Sequence, residues 1–201
     1  MKFNNKFQPY ILCFTGIISI FLIIFCLNIG TYAESATVSA VKTKKVASKA
    51  NLDLPVLFQI PKIKVNAKVE HVGILNNGTM GVPKGPKEVA WFNLGPRPGE
   101  KGSSVIDGHS GWKNGIPAVF DNLYKLRVGD KISVKNGKGV TTNFIVVKIK
   151  LYNPTADAAS VFSSSDGKAH LNLITCTGTW DKVKKTHSDR LVVFTDKIEP
   201  I

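Results

Sequence analysis

Acidic residues and cysteines are both scarce in this chain, and each shortage excludes something. Against 27 lysines and arginines stand only 14 aspartates and glutamates, a formal charge of +13 in 201 residues. Of the three cysteines, Cys13 and Cys26 lie inside an apolar N-terminal run, so Cys176 has no partner elsewhere. A disulfide-stapled scaffold is therefore excluded, and a lone thiol in an exported domain stands out as a reactive group. A buried small hydrophobe is the plainer reading of the same cysteine. The sequence lacks phosphate-binding loops of GxGxxG or GxxxxGK[ST] form, and it lacks CxxC and HExxH metal spacings. His71, His109, His170 and His187 are far apart, and nothing argues for a metal or any other cofactor. The basic residues are scattered rather than interleaved with aromatics, which argues against nucleic acid as a partner. Such a charge suits anionic lipid or an anionic cell-wall polymer, and equally a plainly solvated face.

What is present begins with an apolar run at residues 10–29, about twenty residues without a charge. That length can cross a bilayer as a helix. Lys2 and Lys6 precede it and no acid does, so the N-terminus is expected in the cytoplasm and the rest outside, as a single-pass protein of the cell membrane. Thr31-Tyr32-Ala33 offers a small-residue cleavage site, but the run exceeds the roughly 7–15 apolar residues of a signal-peptide core. We therefore expect a membrane anchor or signal segment at 1–33 and a flexible stalk, rich in Ala, Ser, Thr, Val and Lys, at 34–55. A single folded domain is expected at 56–201.

From Val56 onward, short Val-, Ile-, Leu- and Phe-rich runs alternate with Gly, Pro, Asn and Asp clusters, the texture of an all-β fold. Strands are expected at 57–60, 67–73, 89–92, 103–107, 131–135, 142–150, 170–176 and 190–195. Eight strands with little helix close most easily as a barrel, which leaves no unpaired edge. One short helix is expected at 118–126, with Phe120, Leu123 and Tyr124 on one side. Residues 151–168 form a long connection of the kind that often serves as a functional lid.

Three chemically distinct groups fall at strand ends. Val105-Ile106-Asp107-Gly108-His109 ends in an imidazole. Leu173-Ile174-Thr175-Cys176 ends in the lone thiol, and Arg190 heads Leu191-Val192-Val193-Phe194. A thiol with a pKa near 8.5 is only a few per cent ionised at neutral pH, so Cys176 needs activation or capture of its minor ionised form. His109 can hold the proton and return it to a leaving amine. Arg190 stays protonated and cannot act as a base, so its plausible work is to bond a carbonyl or oxyanion. His187 is a rival base, and Asp107 is a candidate to orient the imidazole. Thr175 faces away from Cys176 if the strand is regular. Trp112 and Trp180 flank the two motifs as candidate aromatic walls.

Taken together these segments resemble the sortases, cysteine transpeptidases of Gram-positive bacteria that join proteins to the cell wall. The stretch from Pro98 to Ser110 is similar to the family's histidine strand, and Leu173-Ile174-Thr175-Cys176 to its [TL]-x-T-C motif. Asp189-Arg190-Leu191-Val192-Val193 is similar to its arginine strand, and Ile60-Pro61-Lys62-Ile63-Lys64-Val65 to its opening. Thr177-Gly178-Thr179-Trp180-Asp181 after the cysteine resembles classes F and E more than class A. An Asp-Pro-aromatic lid of the class C kind is missing from 34–60.

The resemblance implies a membrane-anchored enzyme on a closed eight-stranded sortase-like barrel with one or two short helices. Its implied catalytic residues are His109, Cys176 and Arg190, with Thr175, Trp112, Val161 and Phe162 at the substrate. Its implied partners are exported proteins with a C-terminal LPxTG-like sorting signal, and a peptidoglycan precursor or other amine acceptor. Some class A members bind calcium near the long connection, but Asp157 and Asp166 alone do not support that here. An L,D-transpeptidase-like cross-linker and a non-catalytic surface binding module are the rival readings.

Overall fold

The computed structural model describes residues 53–183 and 185–199. The expected anchor at 1–33 and nearly all of the stalk lie outside the described residues. Among those described, no helix is long and apolar enough to cross a membrane.

Eight strands form where alternating or continuous apolar runs were read: β1 (Pro55–Ile60), β2 (Val65–Val72), β3 (Val89–Phe92), β4 (Gly102–Gly108), β5 (Lys131–Asn136), β6 (Thr141–Tyr152), β7 (Ala169–Asp181) and β8 (Thr186–Lys197). They close in the order β1-β2-β3-β4-β7-β8-β6-β5. Pairing is antiparallel except for β2 with β3 and β4 with β7. Parallel neighbours need long crossovers. The chain from 73 to 88 supplies the first, and β5 with β6 lie within the second.

Side-chain alternation splits β7 into two faces. Leu171 and Leu173 join Phe58, Ile106, Phe144 and Val193 in the barrel's interior core. Asn172, Ile174 and Cys176 take the other face. There Ile174 packs with Phe92, Val105, Val161 and Val192 in a second apolar cluster outside the barrel wall. Both faces of the β4-β7-β8 sheet are thus covered, which explains why these strands read as continuous apolar runs.

Two local expectations need correction. Residues 118–126 contain only a 3-10 turn, Leu123–Lys125, rather than a helix. Of the buried residues there, Phe120, Leu123 and Leu126 recur every third position, the period of the tighter helix, with Ala118 buried before them. The single α-helix among the described residues is α1 (Ala159–Phe162), inside the long connection between β6 and β7. Asn172 on β7 donates from Nδ2 to the carbonyl of Val161 at 2.7 Å, which fixes that helix to the outer face.

Candidate active site

The site grows from the end of β4. Gly108 packs so tightly that a Cβ there would lie 2.5 and 2.7 Å from ring carbons of Phe120, and 2.8 Å from a methyl of Val119. Only glycine fits, and His109 follows it. The His109 carbonyl accepts from the Phe120 amide at 2.9 Å. Its Nε2 lies 2.8 Å from the carbonyl oxygen of Pro83. A carbonyl can only accept, so Nε2 carries a proton and Nδ1 is the lone-pair nitrogen of the neutral ring. Trp112 stacks at a tilt against this ring, with centroids 4.7 Å apart.

Cys176 pairs directly with Arg190 across β7 and β8. Residues opposite one another on antiparallel strands share a face, so thiol and guanidinium stand side by side. Arg190 is held by its own strand. Nη1 donates to the carbonyls of His187 (3.2 Å) and Asp189 (2.9 Å), and Nη2 to Thr186 Oγ1 (3.0 Å).

Two clefts meet at Cys176 and His109. One, of about 620 Å³, is walled by Ser110, Trp112, Trp180 and His187. The other, of about 240 Å³, is walled by Met80, Val82, Phe162 and Ile174, with Asp107 and Arg190 as its charged groups. Burial pushes the Cys176 thiol above its ordinary value; Arg190 works against that rise and Asp107 adds to it. Burial also lifts Asp107 from 3.8 to about 7, although the nearby Arg190 pulls it down. Neither thiol nor carboxyl is therefore fully ionised at neutral pH.

The remaining candidates separate. Phe162 lines the smaller cleft and Trp112 the larger one. Val161 is completely buried in the outer apolar cluster, so it supports Phe162 from beneath. Thr175 is buried, and its Oγ1 donates to the Gly108 carbonyl at 2.7 Å. It thereby ties the cysteine strand to the residue before His109. His187 lines the larger cleft, with Nδ1 3.2 Å from the Gly178 carbonyl and its ring edge-on to Trp180. For Asp107, the candidate to orient His109, no bond to the imidazole is seen, and the ring's Nε2 bonds the Pro83 carbonyl. Sequence reasoning missed Met80 and Val82. They belong to the β2–β3 crossover, and its only signal was the Asn76-Asn77-Gly78 turn. Among the described residues no group of histidines, cysteines and acids could hold a metal ion.

The family model described as "Sortase domain" matches residues 58–198. The chain belongs to the sortase family. Membership supports cysteine transpeptidase activity in cell-wall anchoring, with LPxTG-type sorting signals and cell-wall precursors as general partners. It is also consistent with a membrane-anchored enzyme whose domain lies outside the cell. No curated protein matches the sequence.

Among solved sortases, sortase C1 of Streptococcus agalactiae is 22% identical, with a TM-score of 0.57 over 73% of this chain and 68% of that one. Sortase A of Corynebacterium diphtheriae, in a lid mutant, is 24% identical, with a TM-score of 0.57 over 74% and 72%. A sortase D5 transpeptidase of Clostridium perfringens is 24% identical, with a TM-score of 0.53 over 71% and 78%. At such identities these likenesses speak to the fold. They are sortases of the A, C and D kinds, which overturns the class F or E expectation. The Thr177-Gly178 sequence that suggested it marks a register shift in the β7–β8 ladder, with Gly178 at φ +80. It is a bulge signal.

Proposed function

We propose that this sortase is a single-pass membrane protein whose domain cleaves an exported protein at an LPxTG-like signal, between Thr and Gly. Nδ1 of His109 takes the Cys176 proton, the thiolate attacks the Thr carbonyl to form a thioester, and the C–N bond breaks as Nδ1 returns that proton to the departing glycine amine. A neutral amine from a peptidoglycan precursor or another protein then attacks the thioester, forming a new amide as the C–S bond breaks, and the amine's proton passes through His109 to the departing Cys176 thiolate. Arg190 bonds the carbonyl oxygen while it carries negative charge. With Nε2 bonded to Pro83, Nδ1 of His109 is the atom that exchanges the proton.

The observation that carries this reading is the junction of both clefts at Cys176 and His109. One cleft takes the acyl segment and the other the amine, as a two-step acyl transfer requires. The raised thiol also fits a site that works through its minor ionised form and prevents idle oxidation. Residues 10–29 anchor the enzyme, and the domain needs no cofactor.

Iodoacetamide treatment followed by peptide mapping tests the proposal. Alkylation of Cys176 is expected to abolish cleavage of a fluorogenic LPxTG peptide in step with labelling. Unchanged cleavage after complete labelling would refute the assignment, and a binding module would show no cleavage at all.

A further inference from the structure

The smaller cleft contains a group that the proposed chemistry does not use. Asp107 pairs with Ile174 across the parallel β4–β7 ladder, while Cys176 pairs with Arg190 across β7–β8. The two charges therefore flank β7 on opposite sides and at different heights, with Asp107 beside Ile174 and Arg190 beside Cys176. Met80, Val82, Phe162 and Ile174 give this cleft its apolar walls, and Thr79, His109 and Cys176 add polar groups to it. Arg190 spends donors on its own strand and on Thr186. Asp107 is half-buried, and among the described residues no side chain hydrogen-bonds to its carboxyl. A carboxyl in an apolar wall costs free energy unless something pairs with it.

We infer that Asp107 reads the acyl side of the peptide substrate, selecting a cationic or hydrogen-bond-donating side chain at the second or third residue before the scissile bond. This rests on the transpeptidase reading, in which Arg190 holds the attacked carbonyl and the acyl segment lies in the cleft that Arg190 lines. Ile174 is two residues from Cys176, roughly 7 Å along the strand, and Asp107 stands about 5 Å to its side. An extended peptide advances about 3.5 Å per residue. The carboxyl is therefore level with the second or third residue of a chain whose carbonyl sits at Cys176. A lysine there meets Asp107 across β7 from Arg190. A glutamate meets a second carboxyl, so the selection includes rejection.

The test uses two fluorescein-labelled series, Leu-Pro-Xaa-Thr-Gly and Leu-Xaa-Ala-Thr-Gly, with lysine, leucine or glutamate at Xaa. Binding is measured by fluorescence polarisation to the detergent-solubilised full chain carrying Cys176→Ala, which separates recognition from chemistry. In at least one series the lysine peptide is expected to bind about five- to tenfold more tightly than the glutamate peptide. The near-isosteric double variant Cys176→Ala/Asp107→Asn is expected to lose that ratio, while Cys176→Ala/Asp107→Glu keeps part of it. A ratio unchanged by Asp107→Asn overturns the inference, and so does no lysine preference or no binding in either series. Turnover of the same peptides by the unsubstituted chain is scored separately. Its complete absence would sink the transpeptidase reading, whatever the binding ratios.

Discussion

Cys176 on β7 lies directly across the ladder from Arg190 on β8. A one-residue slip of either strand would turn one group into the barrel's interior, so the continuous apolar pattern of Leu171, Leu173, Leu191 and Val193 also fixes the site. Arg190 presents a planar fork held by two carbonyls and a hydroxyl. Lysine keeps the charge but not the fork. Arg190→Lys is expected to lower kcat/KM on an LPxTG peptide by about 10²–10³. Activity within threefold of the parent would remove Arg190 from oxyanion stabilisation.

The same arrangement makes opposite predictions for the thiol. Burial raises Cys176, Arg190 lowers it and Asp107 raises it. Arg190→Ala should therefore move the pH dependence of iodoacetamide alkylation to higher pH. Asp107→Asn should move it lower, without reaching an exposed thiol's value, because burial is the largest cause. Shifts of the same sign in both variants would contradict this electrostatic arrangement.

His109 and His187 both line the larger cleft. They differ in their ties. His109 lies at the junction of both clefts, whereas His187 reaches only the larger one and is packed on Trp180. His109→Ala is expected to abolish turnover. His187→Ala should keep kcat within a few-fold and weaken use of the amine acceptor, seen as a raised acceptor KM in a transpeptidation assay. The reverse ranking would reassign the acid.

The strands were legible because burial on one face, or on two, writes period-two or continuous apolar runs into the sequence. Strand ends were not. β7 runs on to Asp181 past a bulge, through Thr177-Gly178-Thr179, where no apolar alternation continues and Trp180 alone is aromatic. The four-residue helix Ala159–Phe162 was invisible, being too short for a helical repeat. At the site, Cys176, His109 and Arg190 stood out because their chemistry is unusual at strand ends. Met80 and Val82 did not, because a crossover loop brings them in from far along the chain. Asp107 stood out beside His109, but which strands flank it, and so its place beside Ile174, depends on a register that sequence spacing does not give.

Thr175 tests whether a buried hydroxyl positions the site or binds substrate. Its Oγ1 donates to the Gly108 carbonyl at 2.7 Å and is shielded from solvent. Thr175→Val leaves that carbonyl without its donor and is expected to cost about 1–2 kcal/mol of stability. Thr175→Ser restores the donor and should recover most of the loss. For a positioning role, kcat falls in the valine variant while peptide KM stays near the parent's. A rise in KM alone, with normal melting, would place Thr175 at the substrate.

His170 supplies a pH dependence far from Cys176. Its Nδ1 lies 2.8 Å from Asp196 Oδ1, and its Nε2 3.0 Å from both carboxylate oxygens of Asp166. Carboxylates only accept, so only the imidazolium donates on both sides. Burial opposes that charge, but the bonds to Asp166 and Asp196 outweigh it and raise His170 above 6.5. Asp166 is lowered from its ordinary value, first by its bond with His170. A raised histidine stabilises fully below its unfolded pKa, and that contribution fades as pH rises through the folded value. A lowered aspartate stabilises above its unfolded pKa, and its contribution fades as pH falls through the folded value. The cluster's contribution is therefore greatest between about pH 4 and pH 6.5. It joins β8 to the end of the connection that carries Phe162, so its loss at alkaline pH loosens one wall of the smaller cleft. The melting temperature of the full chain should exceed that of His170→Gln most near pH 6, with the gap closing toward pH 9. Peptide KM of the parent should rise over the same interval while the variant's stays flat. A gap that is constant from pH 6 to pH 9 would show that His170 is not held as an imidazolium between these two carboxylates.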